Sequence, residues 1–206
     1  MLLSHTRPGD ILAGRFEIER LAGEGGMGVV YRARTRPEGE VVALKIVRTS
    51  KREEQERFDR EVRLLSQLNH PAIVRHIDHG ELTSGESFLA MEWLEGEDLG
   101  QALARGPLSL AAALALAQRV AGALAVAHLR GIVHRDVKPR NIFLPRGDAR
   151  AAKLLDFGIA RQEHEARLVT NTGALIGTPG YFAPEQARGD KDRVGASGPS
   201  PPRASA

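Results

Sequence analysis

The sequence predicts an α+β protein of two unequal lobes, a small β-rich one containing a single helix and a mainly helical one after it. Three observations carry this. As far as Met91, short strand-like runs alternate with turn signals. One stretch in that half, Lys51–Leu68, has helical spacing instead, with Phe58, Val62, Leu65 and Leu68 returning to one face. After Trp93-Leu94-Glu95-Gly96 the pattern becomes helical. A length of 206 residues suits one large domain or two small lobes.

Phe16–Leu21 runs as a strand into a glycine cluster and Val29–Ala33 runs out of it, so the glycines mark a hairpin tip. Glu40–Val47 follows Pro37 and Gly39, as a strand follows a turn. Ile73–Asp78 and Phe88–Met91 read as two more strands. Beyond the linker, Asp98–Arg105 is helical. Leu108–Leu129 is alanine-rich but interrupted by Gln118, Arg119 and His128, and reads as a buried helix rather than a membrane span. Asn141–Leu144 and Lys153–Leu155 flank the turn formers of Pro145–Arg150, which predicts a hairpin. Antiparallel pairing would then set Asn141 beside Asp156.

Composition narrows the function classes. Hydrophobic residues make up 42% and charged residues 27%, enough for a core with an ordinary surface. The net charge is +3, and no basic stripe argues for a nucleic-acid partner. The lack of cysteine excludes disulfides and cysteine zinc sites. MLLSHTRPGD has no apolar run of the signal-peptide kind, so the expected location is cytoplasmic, with no membrane segment. The composition leaves the oligomeric state open. Gly195–Ala206 contains only Gly, Ala, Ser, Pro and Arg, and is expected to be a disordered tail.

The chemistry concentrates in His134–Asn141 (HRDVKPRN) and Asp156-Phe157-Gly158. Asp136 can accept a proton from an attacking hydroxyl, and Lys138 can neutralise a migrating phosphate. Asn141 and Asp156 offer hard oxygen ligands suited to Mg²⁺. Gly23-Glu24-Gly25-Gly26-Met27-Gly28 fits GxGxxG, with Val30 two residues on. A strand follows these glycines where a dinucleotide-binding unit has a helix, so they belong to a hairpin whose N–H groups can approach phosphate. Lys45 lies within an apolar strand. Glu61 shares the apolar face of Lys51–Leu68, and a carboxylate there needs a cation, so a Lys45–Glu61 pair is expected.

These pieces resemble the protein kinase family, and most closely the bacterial Hanks-type serine/threonine kinases. They run in the family's order across roughly residues 13–189: GEGGMGVVY, VALK, Glu61, MEWLEGEDL, HRDVKPRN, DFG and FAPE at Phe182–Glu185. The resemblance implies a bilobal kinase fold, with an N-lobe at 13–94, an incomplete, mainly helical C-lobe at 95–189 and a tail at 190–206. ATP would lie between the lobes. Gly23, Gly25 and Gly28 would cover its phosphates, Val30 and Ala43 roof the adenine, and Phe143 floor it. Met91 resembles the gatekeeper, with the backbone of Glu92 and Leu94 at the adenine edge. Lys45, Glu61, Asp136 and Lys138 would be catalytic, and Asn141 and Asp156 would hold Mg²⁺. Gly177-Thr178-Pro179 resembles a substrate-docking loop. Thr170 and Thr172 occupy the place of activation-loop phosphosites facing Arg135. The implied partners are ATP and proteins bearing serine or threonine.

Two departures stand out. His76 falls where the family has an apolar residue in the column stacked behind its helix. The likeness fades near Gln186-Ala187-Arg188-Gly189, where the family continues into further helices. The chain therefore reads as a kinase cut short, the alternative being a fragment that binds nucleotide or proteins without transferring phosphate.

Overall fold

Alternation of inward and outward side chains builds the first lobe. The computed structural model describes residues 6–25, 28–47, 52–157 and 181. Six antiparallel strands, β1 (Ile11–Leu12), β2 (Phe16–Gly25), β3 (Gly28–Thr35), β4 (Val41–Val47), β5 (His76–Glu81) and β6 (Ser87–Glu92), form one sheet in the order β1-β2-β3-β4-β6-β5. Phe16, Ile18, Val29, Tyr31, Val42, Leu44, Ile46 and Phe88 cluster on one face. Val30, Ala43 and Lys45 alternate with them and belong to the other, Val30 standing opposite Lys45 across the β3–β4 ladder. The helix α1 (Arg52–Ser66) seats Phe58 and Val62 against Val47, Leu89 and Met91 of the sheet.

A second sheet, in the order β7-β8-β9, starts the other lobe: β7 (Gly96–Asp98), β8 (Ile142–Pro145) and β9 (Lys153–Leu154). Gly96, at φ +145°, lies so close to β8 that a Cβ would come within 2.3 Å of the Leu144 carbonyl oxygen. The helix α2 (Leu99–Arg105) opens on a capping box. Asp98 Oδ1 accepts from the Gln101 N–H at 3.0 Å, and Gln101 Oε1 accepts from the Asp98 N–H at 3.1 Å. The helix α3 (Leu110–His128) is capped by Ser109, whose Oγ accepts from the Ala112 N–H at 3.2 Å.

The expectation that α3 is a buried helix needs correction. Ala123 and Ala127 are buried in it, whereas Leu110 and Leu114 are 76% and 57% exposed. One side packs on β9 and on the short 3₁₀ turn Ala149–Ala151, and among the described residues no element covers the other. By length and composition α3 could cross a membrane. Arg119 commits it to this lobe: Nε donates to the Ala152 carbonyl at 2.7 Å, and a terminal nitrogen donates to the Pro71 carbonyl at 2.8 Å.

The lobes meet along three seams. Ile73, expected to begin a strand of the first sheet, bridges to Leu154 instead. The Leu154 N–H donates to Ala72 and its carbonyl accepts from Val74, so the extended run before His76 pairs across lobes. Glu92, at the end of β6, takes the ammonium of Lys153 on Oε1, which also accepts from the Arg75 N–H at 2.7 Å. In the linker, the guanidinium groups of Arg20 and Arg32 lie 5.3 and 5.5 Å from the ring centre of Trp93. The Trp93 indole N–H donates to Glu95 at 2.6 Å. The short strands β1 and β7 were not expected from sequence, because two or three residues show no alternation. Gly26, Met27, Gly158, Thr170, Thr172, Gly177-Thr178-Pro179, Phe182–Glu185 and the 190–206 tail lie outside the described residues.

Candidate active site

The hairpin read from sequence forms with Ile142 opposite Leu154 and Phe143 opposite Lys153. It delivers its two ends together: the Leu155 N–H donates to the Asn141 carbonyl at 2.9 Å, which sets Asn141 and Asp156 at one edge. Arg135 and Asp156 hold positive φ, 61° and 43°, a conformation that costs free energy in non-glycine residues and clusters at working sites.

Around this edge the polar groups are matched in detail. Asp136 is 8% exposed. Its Oδ2 accepts from Asn141 Nδ2 at 2.8 Å and pairs with the Lys138 ammonium at 2.9 Å. The same Asn141 nitrogen donates to the Asp136 backbone carbonyl at 2.8 Å, so the amide oxygen remains as the group able to meet a cation. His134, fully buried, locks the loop from beneath. Its Nε2 lies 2.9 Å from the Leu155 carbonyl and its Nδ1 accepts from the Asp136 N–H at 3.3 Å. A carbonyl only accepts and a backbone N–H only donates, so the ring carries its proton on Nε2 and is neutral. Burial holds His134 below the ordinary histidine value, against the opposing pull of the Leu155 carbonyl and the charges of Asp136 and Asp156.

The sequence assigns Lys45 to Glu61, but the carboxylate at its ammonium is that of Asp156, with Nζ to Oδ1 at 2.7 Å. The strand end after β9 delivers this acid, which helix periodicity does not reveal. Burial opposes the charge on Asp156, yet Lys45, by its charge and its hydrogen bond, holds the carboxyl below the usual range. Glu61 stands half-buried on α1, one turn before Leu65.

The remaining predicted residues fall on the two sheets and the strand end that joins them. Val30, Ala43 and Lys45 share the sheet face that Met91 joins, since Ala43 stands opposite Met91. Phe143 stands opposite Asp98 in β7–β8, placing it in the second lobe's sheet beside the linker. The carboxylate of Glu92 is turned to Lys153 and Arg75, which fixes the linker strand carrying the Glu92 and Leu94 backbone. Gly23 and Gly25 have open space where a Cβ would stand, whereas a Cβ on Gly28 would come within 2.0 Å of the Ile46 carbonyl oxygen. Packing within the described residues therefore demands glycine at Gly28 but not at Gly23 or Gly25. Sequence reasoning missed His134 as the buried anchor and Lys153 as the brace. Both lie in motifs, but what they bond is set by other segments.

Chemically, the arrangement is a buried carboxylate held by an amide and an ammonium, with a second carboxylate paired with a lysine. Known proteins agree with it. The protein kinase domain model matches residues 16–196, extending past Gly189. The serine/threonine-protein kinase pkn2 of Myxococcus xanthus is 44% identical over 187 residues, covering 88% of this chain and 22% of that protein. PknA of Mycobacterium tuberculosis is 44% identical over 192 residues, covering 89% of this chain and 44% of that one. The chain thus spans less than half the length of these curated relatives. Among solved structures, the M. tuberculosis PknI kinase domain aligns with a TM-score of 0.68 at 35% identity, over 76% of this chain and 63% of that one. Rad53 residues 1–466, in complex with AMP-PNP, align at 0.70 and 30% identity, over 87% and 44%. A match of this extent, on a fold and cleft built in the same order, makes the chain a member of the protein kinase family, in its bacterial serine/threonine branch.

Proposed function

We propose that this chain transfers the γ-phosphoryl group of ATP to serine or threonine hydroxyls of proteins, with Mg²⁺ as the metal. The observation that carries the reading is Asp136, a buried carboxylate fixed by the Asn141 amide at 2.8 Å and the Lys138 ammonium at 2.9 Å. Its role is to orient the acceptor hydroxyl and take up its proton, while Lys138 offsets charge on the transferring group. Lys45 reaches the α- and β-phosphates, and the open backbone at Gly23 and Gly25 covers them.

The donor set suits Mg²⁺. Asp156 and the Asn141 amide give two hard oxygens, and no group of three or more metal-binding side chains occurs among the described residues. Mg²⁺ is commonly held this way, by one or two carboxylates plus phosphates and water. Bound there, the metal would neutralise phosphate charge. Asp156 and Asn141 would hold the metal, and Lys45, now paired with Asp156 at 2.7 Å, would be the ammonium available to phosphate. The location proposed for this activity is the cytoplasm, where ATP is available.

The test is phosphate transfer from labelled ATP to serine- and threonine-containing peptides by the purified chain. Wild type transfers label and Asp136→Asn loses at least about 100-fold of the rate, as removal of a general base does. Binding of ATP without transfer in wild type would overturn the reading in favour of a nucleotide-binding fragment.

A further inference from the structure

Strand β5 opens with a polar ring, His76, against a mostly apolar pocket. The ring centre of Phe157 lies 4.6 Å from that of His134. Phe157 packs in one cluster with Leu65 of α1. Leu65, Val74, Leu89, Met91 and Phe157 line the pocket together with His76. His76 is half-buried. Its Nε2 lies 3.2 Å from Nδ1 of His79, with the rings edge-on and their centres 5.1 Å apart.

One hydrogen between those two nitrogens serves both rings. A first extra proton settles on an outer nitrogen and leaves that bond intact. A second cannot: the facing nitrogens would then both carry hydrogen at 3.2 Å, and two like charges would sit together beside apolar walls. The geometry points to an acid-sensitive latch: when both rings are charged the His76–His79 pair opens, His76 leaves the pocket, and α1 and the Leu155–Phe157 segment lose a contact that aligns them.

The surroundings support this. Burial first, and the neighbouring His79 second, hold His76 below the ordinary histidine value, with Asp78 pulling the other way. Asp78 is engaged by Arg15 at 2.9 Å, which weakens that opposing pull. Charged groups on the packed elements include Glu61 on the Phe58–Val62 side of α1, Arg75 beside the ring in sequence and held by Glu40, Glu92 at the end of β6, and Asp156, which lines the same pocket and is held by Lys45. For a ring whose value is lowered in the fold, stability is complete above the ordinary histidine value and is lost as pH falls through the lowered one. Loss of phosphoryl transfer below neutrality would follow, and that consequence alone rests on the kinase reading.

The test compares amide-exchange protection, corrected for the intrinsic effect of pH, at about pH 7.5 and about pH 5.5 in wild type, His76→Leu and His79→Gln. In wild type, acid lowers protection at least about tenfold in α1 and in Leu155–Phe157 while the β2–β4 ladder is unchanged. His76→Leu, an apolar fit to the pocket, keeps that protection. His79→Gln removes the second charge, so the like-charge opening is lost and protection persists at the acid pH. Equal acid sensitivity in wild type and His76→Leu, or loss spread evenly over both sheets, overturns the latch. Transfer assayed on the same samples separates the two ideas: the exchange pattern without transfer at any pH leaves the latch standing and removes the kinase reading.

Discussion

Asp156 is pulled in two directions, since burial disfavours its charge and Lys45 favours it, and the lysine prevails. A depressed carboxyl value adds stability that is present above the unfolded value and is lost as pH falls through the folded one. Asp156→Asn therefore destabilises the chain at neutral pH, by about 1 kcal/mol rather than the several lost from a fully buried pair, because the carboxylate is 38% exposed. Urea melts of both proteins read this. The gap closes in acid as the wild-type carboxyl protonates, and a gap that widens instead would contradict the pair. At this scale the sequence was informative about residue types and poor about partners. Asn141 and Asp156 meet at one edge as the hairpin suggested, while Lys45 pairs with Asp156, an acid delivered by a different segment from the helix that carries Glu61.

The elements separate what the fold needs from what a ligand needs. In the β2–β3 hairpin, Gly28 lies against β4 at φ +140°, but Gly23 and Gly25 have nothing within 4 Å of a would-be Cβ. Gly28→Ala is expected to cost about 1–3 kcal/mol of stability through strain and displacement of Ile46. Gly25→Ala leaves stability within about 0.5 kcal/mol of wild type and instead weakens ATP binding. Thermal melts and nucleotide titrations on both variants check the split, and an equal stability loss in the two would refute it. Long elements were legible: β2, β3, β4, β6, α1, α2 and α3 all appear near their expected limits, because strong periodicity survives any tertiary context. The run from Ile73 misled, since backbone groups at Ala72 and Val74 are claimed by the other lobe. The surroundings of α3 were also misjudged, because periodicity reports which faces are apolar and not which are covered.

Across the whole molecule, the lobes are joined by a linker, by the 72–74 crossing and by the Glu92–Lys153 pair, whose side chains are each 19% exposed. Lys153→Met removes the brace and leaves the Glu92 carboxylate bonded to the Arg75 N–H. ATP affinity is expected to fall about threefold, equivalent to a partly screened ion pair, with little change in the rate at saturation. Calorimetric titration and initial rates measure the two quantities separately. A fall in maximal rate with unchanged affinity would show that the pair serves something other than the linker. Two lobes and a cleft were readable from the order of motifs, because each motif keeps its place in the chain. The brace was not, since Glu92 and Lys153 carry no pattern that couples them across sixty residues of sequence.

The stacking at the linker has one more consequence. Trp93 is the sole tryptophan of the chain, and it lies where the two lobes articulate, with two guanidinium groups over its ring. Indole emission is sensitive to the charges around it, so any rotation of one lobe against the other changes the colour or brightness of a single, unambiguous chromophore. The molecule carries its own optical gauge of opening and closing, and no label has to be attached to watch a nucleotide arrive.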